Sequence, residues 1–324
     1  MIEVERLTKR YKNTLAVDDL SFSVKPGVVT GFLGPNGAGK STTMRLIVGL
    51  DRPTSGGATI GGKAYSELKD PLRVVGSLLD AKSFHRNRSA RAHLNWVAET
   101  NGIPRQRVSD VLQMVGLTDV ASRKAGSFSL GMAQRLGLAQ ALLGDPEYLL
   151  LDEPVNGLDP EGIRWVRQFL QALAAEGRTI LVSSHLLSEM SQMADDLVVI
   201  GQGKLIADTS VHEFIKGASQ MLVAVRAAGA EAQNQLAATL REHAVNFSTE
   251  KDSEGREFLQ VTDQSSDEVG RLAFAAGVQL AELTQTEASL EEAFMEMTGS
   301  SVQYHGQDVA TTSIQSPQSP EAGA

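Results

Sequence analysis

The sequence contains no cysteine. That excludes a disulfide framework, a Cys-ligated zinc site and a thiolate nucleophile, and it suits the cytosol. Aromatic residues make up only 5% of the chain, which argues against a stacking surface for single-stranded nucleic acid. No run of about 18 apolar residues free of charge occurs, so no membrane span is expected. The opening Met1-Ile2-Glu3-Val4-Glu5-Arg6 has an acidic start and no apolar core, so no secretory signal is expected. Guanine recognition by an Asn-Lys-x-Asp motif is absent as well.

Basic residues are scarce in one region only. Residues 217–324 hold 5 Lys and Arg against 16 Asp and Glu, a net charge of −11. The whole chain carries −9, so residues 1–216 are close to neutral. This shift predicts a boundary near Lys216-Gly217. With 324 residues and 42% hydrophobic content, two soluble globular domains are expected.

The first region reads as alternating strands and helices. Val28–Leu33, Tyr148–Asp152 and Thr179–His185 are short apolar runs of the kind that form buried parallel strands. Helical spacing covers Thr42–Leu50 and Gly162–Glu176. Residues 89–143 are mostly helical, an inserted subdomain. Leu197–Ile200 and Lys204–Ala207 flank Gly201-Gln202-Gly203 as a hairpin. The second region, 219–298, reads as βαββαβ, the order of the ferredoxin-like plan. Its strands are Met221–Arg226, Val245–Thr249, Glu257–Thr262 and Val278–Leu283. Its helices are Glu231–His243 and Ser265–Ala276, followed by a last amphipathic helix, Glu287–Met297. Residues 299–324, rich in Ser, Thr, Gln, Pro and Gly, read as a disordered tail.

Gly34-Pro35-Asn36-Gly37-Ala38-Gly39-Lys40-Ser41 fits G-x-x-x-x-G-K-[ST] between a strand and a helix. Glycines let backbone N–H groups turn toward an anion. The helix N-terminus adds its dipole, Lys40 a point charge for the β- and γ-phosphates, and Ser41 a hydroxyl ligand for Mg²⁺. Asp152 and Glu153 close an apolar strand. Strand alternation would aim them to opposite sides, one toward metal and one toward an attacking water. A doubly wound sheet presents its ligands at that end.

Phosphate loop, Leu149-Leu150-Leu151-Asp152-Glu153-Pro154, Asn156-Gly157-Leu158-Asp159 and Ser183-Ser184-His185 follow one another in this order. Over about residues 1–216 the chain resembles the nucleotide-binding subunit of an ABC transporter. The resemblance implies an α/β P-loop NTPase cassette with a mixed sheet core and the helical subdomain, to which the small α+β domain read above at 219–298 is appended. It implies that ATP is bound by Tyr11 and by Gly34, Pro35, Asn36, Gly37, Ala38, Gly39, Lys40, Ser41, Thr42 and Asp152. Tyr11 would stack on adenine. Read without the resemblance, Tyr11 is a half-buried surface residue. Glu153 would be the catalytic glutamate and His185 the switch histidine, with Lys40 on the phosphates. Ser41, Asp80 and Asp152 would hold Mg²⁺.

Phe128-Ser129-Leu130-Gly131-Met132 stands where the family carries Leu-Ser-Gly-Gly-Gln. Ser129 and Gly131 match, Leu130 and Met132 do not. Ser129, Gly131 and Asp159 would contact the nucleotide of a second subunit, so a homodimer around two ATP molecules is implied. Val75-Gly76-Ser77-Leu78-Leu79-Asp80 places Asp80 where the family usually has Gln. With Ala288-Ser289-Leu290-Glu291-Glu292-Ala293-Phe294, these features resemble the bacterial drug- and bacitracin-export branch that serves separate ABC-2 type permeases. The resemblance then implies export through a separate membrane permease. The segment Lys82, Arg86, Arg88, Arg91 would dock there, and the chain would sit on the cytoplasmic face of the membrane. A soluble ABC ATPase unconnected to transport is the alternative. Translation factors carry two cassettes and repair types long coiled coils, and this chain has neither. No nucleic-acid partner is expected.

Overall fold

Two apolar textures divide the strands. Runs that are apolar at every position must be covered on both faces, whereas alternating runs need cover on one. Both textures are present in the computed structural model of the chain, which describes residues 1–80, 83–218, 222–252, 255–286 and 290–298. Lys82, Met221, Glu287–Ser289 and the tail expected from 299 lie outside the described residues.

The first region runs through β1 (Ile2–Tyr11), β2 (Thr14–Val24), β3 (Val29–Leu33), α1 (Lys40–Ile47), β4 (Ser55–Ile60), α2 (Pro71–Val74) and β5 (Val75–Leu78). Three helices follow, α3 (Ala90–Thr100), α4 (Arg105–Met114) and α5 (Leu130–Ala141). Then come β6 (Tyr148–Asp152), α6 (Pro160–Ala175), β7 (Thr179–Ser184), α7 (Leu187–Met193), β8 (Asp196–Gly201), β9 (Lys204–Ser210) and α8 (Val211–Ala218). The central sheet has the order β5-β6-β7-β3-β8-β9, parallel except for the edge hairpin β8–β9. Leu149, Leu151, Ile180 and Val182 enter the core on one face. Tyr148, Leu150 and Leu181 enter the core on the other. That double burial accounts for the unbroken apolar runs.

A second, antiparallel sheet, β2-β1-β4, covers one face. The sequence reading did not anticipate it. Its third strand, Ser-Gly-Gly-Ala-Thr-Ile, has low strand propensity and pairs with β1 across about fifty residues of chain, so no local signal marks it. The first helix begins two residues earlier than expected, at Lys40. Gly39, in the left-handed region at φ 107°, caps it, and Gly49 at φ 67° follows its end.

The second region contains β10 (Leu222–Ala227), α9 (Ala230–Glu242), β11 (Phe247–Lys251), β12 (Glu257–Thr262), α10 (Ser266–Ala275) and β13 (Leu280–Thr286). The strands pair antiparallel throughout in the order β11-β12-β10-β13. That is the spatial order a split βαβ repeat produces. Val223, Val225, Leu236, Leu240, Leu259, Val261 and Val269 form its own core. A final helix, α11 (Leu290–Thr298), leaves this unit and packs on α7 and α8. There Leu290, Ala293 and Phe294 join the core of the first region together with Met190, Met193 and Phe214.

Candidate functional site

Parallel register decides which side chains meet. Leu33 of β3 pairs with Ser184 of β7, and Asp152 of β6 pairs with Ser183 of β7. Three strands therefore end level. The glycine loop, the Asp152-Glu153 pair and His185 emerge side by side at the carboxyl edge of the sheet, where such sheets hold ligands.

The loop is held tightly against its neighbours. A Cβ on Gly39 would stand 2.5 Å from the Ala16 carbonyl oxygen, so no larger residue fits there. The Lys40 side chain is buried, and its Nζ donates to the Gly34 oxygen at 2.6 Å and the Pro35 oxygen at 3.3 Å. Burial pushes this ammonium below the ordinary lysine range, while the charges of Glu153 and Asp152 oppose the shift. Ser41 is exposed beside it and Thr42 half-buried.

The carboxylate pair departs from the strand geometry expected for it. Asp152 ends β6, but Glu153 lies outside the strand with φ 51°. A left-handed kink, not pleat alternation, separates the two side chains. Such a backbone in a non-glycine residue persists only where its surroundings hold it. Here the Glu153 N–H donates to Ser183 Oγ at 3.0 Å, and the Ser183 hydroxyl donates to an Asp152 carboxylate oxygen. Gln134 Nε2 donates to the Glu153 carbonyl at 3.2 Å. The Glu153 carboxylate meets His185 Nδ1 at 2.7 Å.

Asp80 joins this group. A cleft of about 350 Å³ is lined by Leu79, Asp80, Leu130, Gln134, Asp152, Glu153 and Asn156. Asp80 also has a polar partner of its own. No cluster of three or more His, Asp or Glu preassembles a metal cage among the described residues. The available donors are hard oxygens, Asp80 and Asp152 carboxylates and the Ser41 hydroxyl, a set that suits Mg²⁺ arriving on a phosphate.

Ser129 and Asp159 have local work. The Ser129 hydroxyl caps α5 by accepting from the Met132 N–H at 3.3 Å, and Asp159 caps α6 by accepting from Gly162 N–H at 2.8 Å. Leu130, one of the two departures from the family signature, lies against Gly157. A Cβ on that glycine would come 2.0 Å from a Leu130 methyl. Gly131 faces Leu158 in the same contact. Tyr11 stands apart at the β1–β2 turn. Its hydroxyl donates to Asp51 at 2.9 Å, Arg45 grips the same carboxylate, and Lys9 Nζ lies 4.7 Å from the ring centre. Burial, followed by the Asp51 contact, pushes the phenol up, and Arg45 and Tyr11 hold Asp51 below the usual carboxylate range.

Of the basic segment, Arg88 lies over the Trp96 ring at 4.8 Å and Arg91 bonds Ser109. A groove of about 460 Å³ lined by Phe84, Arg86, Gly126, Phe128, Leu130 and Ala133 opens beside the start of α5. The sequence reading missed Gln134 and Asp51, and quoted Ser183 without giving it a part. Their signal was slight. Ser183-Ser184 interrupts an otherwise apolar strand, and Gln134 interrupts the apolar side of a helix.

Residues 17–156 match the family model described as ABC transporter, and residues 222–291 match a domain of unknown function, DUF8746. The chain is 36% identical over 304 residues to the bacitracin transport ATP-binding protein BcrA of Bacillus licheniformis, across 92% of this chain and 97% of that protein. It is 38% identical over 208 residues to the lantibiotic transport ATP-binding protein SrtF of Streptococcus pyogenes, across 64% of this chain and 90% of that one. A solved ATP-binding subunit of an ABC transporter superposes with a TM-score of 0.61 at 26% identity, over 67% of this chain and 92% of that structure.

Proposed function

From the premise that the chain belongs to the ABC transporter family as an ATP-hydrolysing, ATP-binding subunit, we propose that it powers export of a peptide antibiotic or drug through a separate membrane permease. The names of the bacitracin and lantibiotic relatives support that cargo class. Among the described residues no helix is long and apolar enough to cross a membrane, which fits a division of labour with a permease. The groove between Phe84 and Phe128, with Arg86 at its rim, is the docking surface in this reading. The chain then works at the cytoplasmic face of the membrane.

Residues 1–216 act as the cassette, 89–143 as its helical subdomain, and 219–298 as an accessory domain. Tyr11 stacks on adenine. Backbone N–H groups from Gly34 to Thr42 cradle the phosphates, and Lys40 releases the Gly34 and Pro35 oxygens to meet them. Ser41, Asp152 and Asp80 would hold Mg²⁺, which neutralises phosphate charge when bound. The Glu153 carboxylate orients the lytic water and takes its proton, and His185 turns from Glu153 to the γ-phosphate. Ser129, Gly131 and Asp159 complete the site of a second copy. Each chain contributes one loop and one signature, so two copies enclose two nucleotides.

The observation that carries this reading is the level ending of β3, β6 and β7, which sets Lys40, Asp152, Glu153 and His185 along one edge. Gel filtration of Glu153→Gln with ATP tests it. A dimer that forms with ATP and disperses without it is expected. A monomer under both conditions would refute the two-nucleotide sandwich.

A further inference from the structure

Gln134 is 4% exposed and has no part in the roles above. It lies on α5, five residues beyond the serine that caps that helix, and its side chain reaches the wall of the cleft holding Asp80, Asp152 and Glu153. Its Nε2 donates to the Glu153 carbonyl at 3.2 Å. Its Oε1 is buried with no hydrogen-bond partner, which costs stability.

The Glu153 peptide groups explain what the contact achieves. Glu153 sits at φ 51° immediately before Pro154, a combination disfavoured by both residues. Neither of its backbone polar groups is paired in the sheet. The N–H is held by the side chain of Ser183 on β7, and the carbonyl accepts from the Asn156 backbone N–H at 3.1 Å and from the side chain of Gln134 on α5 at 3.2 Å. One clamp also touches Asp152, and the other belongs to the helix that begins with Ser129. We propose that Gln134 is a positioning residue for the hydrolytic step. It fixes the Glu153 backbone in its left-handed turn and so aims the carboxylate, tying that aim to the helix that carries the signature. This inference rests on the reading of Glu153 as the residue that activates water.

The test compares Gln134→Met and Gln134→Glu in the full chain. Methionine keeps length and loses the donor. Turnover should fall about tenfold, with KM and the affinity for a fluorescent ATP analogue unchanged within about twofold. Glutamate keeps the length and an acceptor but, when ionised, has no donor, so Gln134→Glu should lose turnover in the same way with KM unchanged. Wild-type turnover in either variant would overturn the proposal. Glu153→Gln measured in parallel separates the two readings. If it keeps turnover, the role of Glu153 fails. If it is inactive while Gln134→Met turns over normally, only the role of Gln134 fails.

Discussion

The cassette and the accessory domain solve the same packing problem and treat polar groups differently. In the accessory domain, positive φ at Ala244 and Asp263 falls outside its strands and helices. Its helix α10 starts with a complete capping box between Ser265 and Glu268, and Arg226 pairs with Glu282 at 3.1 Å across two strands at the surface. In the cassette a non-glycine left-handed residue stands where a buried strand ends. Beside it is a buried ammonium turned onto backbone carbonyls, whereas a buried amide with one unpaired atom occurs in both regions, at Gln134 and at Gln233. Left-handed residues also occur inside β1 and β2, at Arg6 and Asp19, so what marks the site is the meeting of such a kink with a buried ammonium and two carboxylates at one sheet edge. The acidic charge of the C-terminal third therefore accompanies a domain without visible chemistry among its described residues.

The two regions are joined through α11, and that joint supplies the largest effect. Phe294→Ala removes a side chain 8% exposed from the cassette core, although it lies at the far end of the chain. A loss of about 2–4 kcal/mol in cassette stability is expected by denaturant unfolding. An unchanged midpoint would mean the accessory domain is energetically separate. Next, Asp80→Ala at the cleft should lower ATP turnover about tenfold while leaving the fold intact. Near-normal phosphate release would leave Asp80 without a role. Smallest, Thr284→Ala on the exposed face of β13 should change stability by less than about 0.5 kcal/mol and turnover by less than about twofold. A clear loss of turnover there would erase the contrast between the regions.

Much of this architecture was legible in the residues because its signals are local. Tyr148–Asp152 and Glu257–Thr262 form the strands their apolar runs announce, and the βαββαβ order of the second region produces the expected sheet. Helix ends were less readable. Glycine caps shifted α1, and the last described helix begins at Leu290. The β2-β1-β4 sheet was not legible, since pairing across dozens of residues leaves no periodic trace. In the site, residue types and spacing pointed to Lys40, Asp152 and Glu153, and the family resemblance to His185. The kink at Glu153 and the clamps from Ser183 and Gln134 could not be read, because they arise where α5, β6 and β7 converge.

The central claim is that each chain holds half of a composite site, with Ser129 serving a nucleotide bound by another copy. Ser129→Arg tests it most directly, by phosphate release together with ATP titration. The account predicts that hydrolysis falls to background while ATP affinity stays within about twofold, because the cis contacts of Lys40 and Asp152 are untouched. Turnover equal to that of the unaltered chain would contradict it.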